Sequence, residues 1–235
     1  MANKDNSGES AKAGEKKSLN EQNWPRLLAV TGLNFIIFGV LTATDPTPIS
    51  KLAKTWEFLI PAGVGLALIC VINGLLNGEA KSRLVFWKWQ NPLPGSEAYT
   101  VHAKNDPRFT GIDVDRELGV GDAERGDPKM QNAHWYKNVF YPTQDAVAVQ
   151  QANRNFLFTR DYAAISFMML VVFGTAGYFL ITPVAKWGLY SVGLLVQYLL
   201  VLRAARNYGI ETVTNAIAVK IAKPPVVGTR GAEPQ

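Results

Sequence analysis

Four stretches of the chain, 27–44, 58–76, 162–182 and 184–202, are almost wholly apolar and nearly free of charge. Each has 18 to 21 residues, or roughly 27–32 Å as a helix at ~1.5 Å per residue, which matches the hydrocarbon core of a bilayer. Backbone polar groups in lipid must pair within their own segment, so the pattern predicts four membrane-spanning helices. Trp24 and Arg26 precede the first run, and Asp45 and Pro46 end it. Lys54, Trp56 and Glu57 precede the second. Arg160 and Asp161 open the third, Pro183 closes it, and Arg203 and Arg206 close the fourth. The expected architecture is an all-α integral membrane protein of two transmembrane hairpins, 27–76 and 162–202.

The remaining segments have a different texture. Residues 1–26 are mostly Lys, Glu, Ser, Asn and Gly and are expected to be a disordered tail, since this composition buries little apolar surface. They carry four acids and no small-residue cleavage site follows the first run, which argues for a retained anchor over a signal or transit peptide. Residues 77–161 form an insertion punctuated by Gly, Pro, Asp and Asn. It is expected to contain short elements and loops. From Thr143, expected as an N-cap after Pro142, no Gly or Pro appears until Gly174. One helix is therefore predicted from Thr143 to Ile181. A second extension is predicted from the fourth run to Lys223, within a C-terminal helix and tail spanning 203–235.

Charge sets the orientation. Five of the 24 Lys and Arg precede the first run, eleven lie in the insertion and five follow the fourth run, so 21 share one side. The positive-inside rule makes that side cytoplasmic, for both termini and residues 77–161, and a bacterial inner membrane is the expected location. The pI of about 9.3 is then a statement about topology. The insertion itself balances eleven bases against eleven acids.

Candidate chemistry is sparse. Asn34, Asn73 and Gln197 lie within the runs and are expected to hydrogen-bond between helices or to line a polar pore. No Asp, Glu, Lys, Arg or His lies deep in a run, which argues against proton-coupled transport and voltage sensing. Gly63 with Ala67, and Gly174 with Gly177, are expected helix-packing positions. Trp24, Trp56, Trp87, Trp89 and Trp187 are expected at the membrane interface, Trp87 and Trp89 within the mixed stretch 82–90. Cys70, the single cysteine, reads as a small core residue.

In the insertion, Asp113, Asp115, Glu117 and Glu124 stand at positions 1, 3, 5 and 12 of a calcium loop, but Leu118 occupies the position that needs Gly. His102 is a weak candidate for metal or acid–base work with Asp106, and His134 a more distant one. No metal and no cofactor is expected. Gly119-Val120-Gly121 lacks the frame of a dinucleotide loop. Residues 132–141, NAHWYKNVFY, are the densest aromatic stretch. With Lys129, Lys137, Arg154 and Arg160 they suggest either a small core or a weakly supported nucleotide or nucleic-acid site.

These features point first to an oligomeric membrane effector or channel gated through its cytoplasmic domain, of the kind used in bacterial defence or stress responses. A structural or anchor subunit of a larger membrane complex is the alternative. An enzyme at the cytoplasmic face is weaker, for want of any catalytic set. The expected partners are the lipid bilayer and further copies or other membrane subunits.

Overall fold

A computed structural model describes residues 19–42, 63, 65–67 and 71–222. Every element among them is helical. Three helices are long and apolar enough to cross a membrane: α1 (Leu19–Thr42), α6 (Val147–Leu180) and α7 (Val184–Ala222). Of the second apolar run, residues 63, 65–67 and 71–75 are helical. Trp56 and Cys70 lie outside the described residues.

At 34 and 39 residues, α6 and α7 reach ~51 and ~58 Å, well beyond a hydrocarbon core of roughly 30 Å. They form one antiparallel hairpin. In its apolar half, Leu27 of α1 packs with Ile165, Met169 and Phe173 of α6 and Leu194 of α7. The ring of Phe173 stacks on Phe38 at 4.6 Å and meets Phe35 edge-on at 4.9 Å. Gly65 permits a close approach there, since a Cβ would fall 2.8 Å from the Phe35 ring.

The insertion folds onto the other half of the hairpin. It comprises α2 (Gly78–Phe86), α3 (Val114–Leu118), α4 (Asp122–Gly126) and α5 (Pro128–His134), joined by shorter helical turns. Local chemistry sets the ends. Asn77 caps α2 by accepting from the Ala80 amide at 2.7 Å, and Asp127 caps α5 just before Pro128. Gly119 ends α3 at φ +65, a left-handed conformation that favours glycine. The insertion is not self-contained. Its core of Tyr99, Phe109, Trp135, Val139 and Phe140 closes against Val149 of α6 and Val213, Ala216 and Ile217 of α7.

Two sequence expectations are corrected. The expected N-terminal tail is helical from Leu19, because the first turns of α1 pack beside α6: Asn23 is buried and donates to the Arg154 carbonyl at 2.9 Å. Thr143 does not cap α6. Its hydroxyl turns back to the Val139 carbonyl at 2.7 Å, and the long helix starts four residues later at Val147. The expected extension of the fourth run does form, to Ala222.

Candidate functional site

The junction between the two halves of the hairpin carries a buried charge cluster. Lys81 of α2 lies 3.1 Å from Asp161 of α6, and Arg160 reaches the same carboxylate oxygen at 3.1 Å. All three side chains are almost completely buried. Among the described residues no second carboxylate pairs with either base, so two cations share one anion. The Arg160 guanidinium also lies 5.7 Å from the Phe156 ring, and Gly78 leaves it room.

Arg160 lines a cavity of about 280 Å³ on the insertion side of this cluster. The walls include Trp135, Tyr136 and Phe140 from the aromatic stretch, together with Phe156 and Asn153 of α6. Residues 153, 156, 157 and 160 share one face of α6, which puts all four on this wall. Tyr136 stacks on Phe140 at 5.5 Å, and Trp135 meets the same ring at a tilt, 5.3 Å away. The Trp135 indole nitrogen is buried without a hydrogen-bond partner among the described residues.

One turn further into the apolar half lies a polar cluster. The Tyr162 hydroxyl is within hydrogen-bonding reach of Asn34 of α1, Ser166 of α6 and Gln197 of α7. Gln197 donates to the Ser166 hydroxyl at 3.4 Å, and the Asn34 amide also donates to the Val30 carbonyl of its own helix at 2.8 Å. Asn73 is buried, and its carbonyl oxygen has no partner among the described residues. The Tyr190 hydroxyl and Ser191 Oγ are in the same state.

The expected packing glycines divide. Gly174 and Gly177 both serve Trp187, whose indole N–H donates to the Gly174 carbonyl at 2.8 Å while its ring lies against Gly177. Trp187 is thus partly enclosed by the hairpin, not merely interfacial. A Cβ on Gly63 would meet nothing within 4 Å, and Ala67 is exposed. Trp24, Trp87 and Trp89 are exposed. Trp87 is nevertheless anchored on α7, where it stacks under Arg206 at 5.0 Å and donates to Tyr198 at 3.3 Å. Lys186 donates to the Leu41 carbonyl at 3.2 Å, satisfying an orphan acceptor at the end of α1.

The weak metal candidates are dispersed. Asp113 caps α3, Asp115 pairs with Arg125 at 2.7 Å, and the segment holding Asp113, Asp115 and Glu117 is a capped helix instead of a chelating loop. Glu124 belongs to α4, where its carboxylate lies against Gly121. No metal-binding group of three or more His, Cys, Asp or Glu occurs among the described residues. His102 is buried near the Pro94 carbonyl and the Lys88–Glu97 ion pair, and burial holds its pKa below the usual value. Asp106, its suggested partner, is engaged by Arg108, which also reaches Thr214 and Asn215 of α7. His134 instead meets the buried Tyr99 hydroxyl at 2.8 Å. Burial, with the Asp115 and Glu124 charges, keeps that phenol protonated well above its ordinary range.

Lys81 belongs to no motif in the sequence. Its one signal is that of a basic residue near the end of an apolar run and within helical reach of Asn77. Of the four bases suggested beside the aromatic stretch, Arg160 alone lines the aromatic cavity, while Lys129 and Arg154 line separate clefts. Comparison with protein families, curated proteins and solved structures found no match for the chain.

Proposed function

We propose that the chain is a four-span membrane effector that assembles as several copies and passes ions under control of its cytoplasmic domain. In this reading the second apolar run is the fourth span. Both termini and residues 77–161 face the cytoplasm, as the Lys and Arg distribution favours, in a bacterial inner membrane.

One observation carries the proposal. Along the unbroken helix α6, the cavity face at 153–160 leads directly into Asp161, then into Tyr162 and Ser166, which meet Asn34 and Gln197 on neighbouring helices. A ligand in the cavity is therefore one helical turn from the polar interior of the bundle. Buried polar atoms normally find partners. Those of Asn73, Tyr190 and Ser191 are left open among the described residues, which favours water within the bundle.

The test is conductance of the purified full-length protein in planar bilayers. Current is expected from the wild type, with loss or sharp reduction in Asn34→Leu and Gln197→Leu. Unchanged current in both variants removes these residues from the conduction path. Silence of the wild type, combined with co-purification of fixed partner chains, replaces the channel with a non-catalytic subunit of a larger assembly.

A further inference from the structure

The cavity beside Arg160 has a composition that specifies its occupant more narrowly than "a ligand". We infer that it binds a small organic anion, a carboxylate or phosphate ester carried on a flat apolar body. The inference rests on the proposed function only for its consequence; the binding itself stands on the geometry.

Three observations converge. The first is electrostatic. Lys81, Arg160 and Asp161 sum to one uncompensated positive charge with all three side chains nearly buried. A buried charge without a counter-charge is costly, and a bound anion relieves that cost. Of the two bases, it is Arg160 that lines the cavity. Its planar guanidinium offers five donors in a fork suited to carboxylate or phosphate oxygens, and only part of that fork is spent on Asp161.

The second is an unused donor. Trp135 lines the same cavity and its indole N–H has no partner among the described residues, although the residue is only 6% exposed. Its environment is tight on the far side, where the ring abuts Gly95. A group that can only donate, left open beside a cationic side chain, favours an acceptor-rich guest.

The third is shape and surface. Tyr136, Phe140 and Phe156 supply aromatic faces, while Asn132, Asn153 and Thr212 add a few polar atoms. The volume of about 280 Å³ sits at the small end of ligand sites, which suits one ring system and not a polymer. A free soluble anion and the headgroup of an anionic lipid share this chemistry, since Arg160 sits at the foot of the membrane-spanning part of α6.

The experiment is calorimetric titration of phenyl phosphate into the full-length protein in nanodiscs of zwitterionic lipid. Benzamide is the uncharged comparison and inorganic phosphate the one without a ring. Saturable binding of phenyl phosphate is expected, with both comparison compounds at least ~10-fold weaker. Arg160→Gln is expected to weaken it by about 10- to 100-fold, as befits loss of a charged hydrogen-bond partner. Trp135→Phe, which keeps an aromatic ring and drops the donor, should weaken it by about 3- to 10-fold and guards against a folding defect in the first variant. No saturable binding by the wild type overturns the inference, as does equal binding by both variants. Repeating the titration with phosphatidylglycerol in the disc separates the sources: competition identifies a lipid headgroup, and its absence a soluble anion. Binding without any change in bilayer current keeps the ligand class and removes the gating.

Discussion

The guanidinium of Arg206 donates to the carbonyl oxygen of Val85 at 2.6 Å, across 121 residues of chain. Val85 is fully buried at the end of α2, and Arg206 covers the Trp87 ring beside it. Together with the Tyr198 hydroxyl, which donates to the Leu84 carbonyl at 3.2 Å, this bond satisfies acceptors that the last turn of α2 leaves open. The insertion is thereby locked to α7 near Arg206, where the apolar half of that helix ends. Arg206→Met keeps the stem but strands the carbonyl, and is expected to cost about 1.5–3 kcal/mol. Thermal unfolding in nanodiscs, followed by circular dichroism, measures it; an unchanged midpoint contradicts the role.

Asp161 serves two cations, so its loss and theirs are not equivalent. Asp161→Asn leaves Lys81 and Arg160 buried without a counter-charge and should destabilise by about 3–5 kcal/mol. Lys81→Met leaves a one-to-one Arg160–Asp161 pair and should be markedly milder. Comparing the two unfolding midpoints decides the matter, and the reverse order would mean that the cluster is not short of negative charge.

Gly95 stands where a side chain cannot. A Cβ there would lie 2.5 Å from both Asn132 Oδ1 and the Trp135 ring. Gly95→Ala is expected to force the Gly95 turn away from Asn132 and Trp135, at about 1–3 kcal/mol. The same displacement should alter the cavity, so that phenyl phosphate affinity falls along with stability when both are measured on one preparation.

His102 gives the 77–161 insertion an acid-sensitive element. Burial holds its folded-state pKa below the ordinary 6.5, so between the two values the unfolded chain binds more protons. Stability is therefore present above pH 6.5 and falls as the pH drops below it. Unfolding midpoints from pH 7.5 to 5 should decline, and His102→Gln should flatten that slope. Asp106, held below its usual range by Arg108, contributes in the same direction but only near and below pH 4, outside this interval.

The helices were legible where one physical rule dominates. Apolar runs of bilayer length mark α1, α6 and α7, and the stretch from Thr143 to Gly174 without Gly or Pro announces that α6 extends beyond bilayer length. Thr143 misled because a hydroxyl that caps one helix equally well bonds back into the preceding one, and sequence does not say which. The turns before Trp24 were read as a tail because their value lies in Asn23 meeting Arg154, a contact between residues 131 apart. The same distance hid the candidate site. Arg160 and the 132–141 aromatics were each visible, but their shared cavity depends on how the insertion folds onto the hairpin, and Lys81 joins them only through α2.

Between Val147 and Gly174 the helix α6 contains neither glycine nor proline, the residues at which helices bend most readily. Those 27 residues make a stiff lever ~40 Å long. A tilt of about 5° at its first turn displaces the far end by ~3–4 Å, whereas the same tilt made at Arg160, halfway along, moves that end by roughly 2 Å. Chain stiffness thus carries a small adjustment around Arg160 undiminished to the far end of the apolar half of α6.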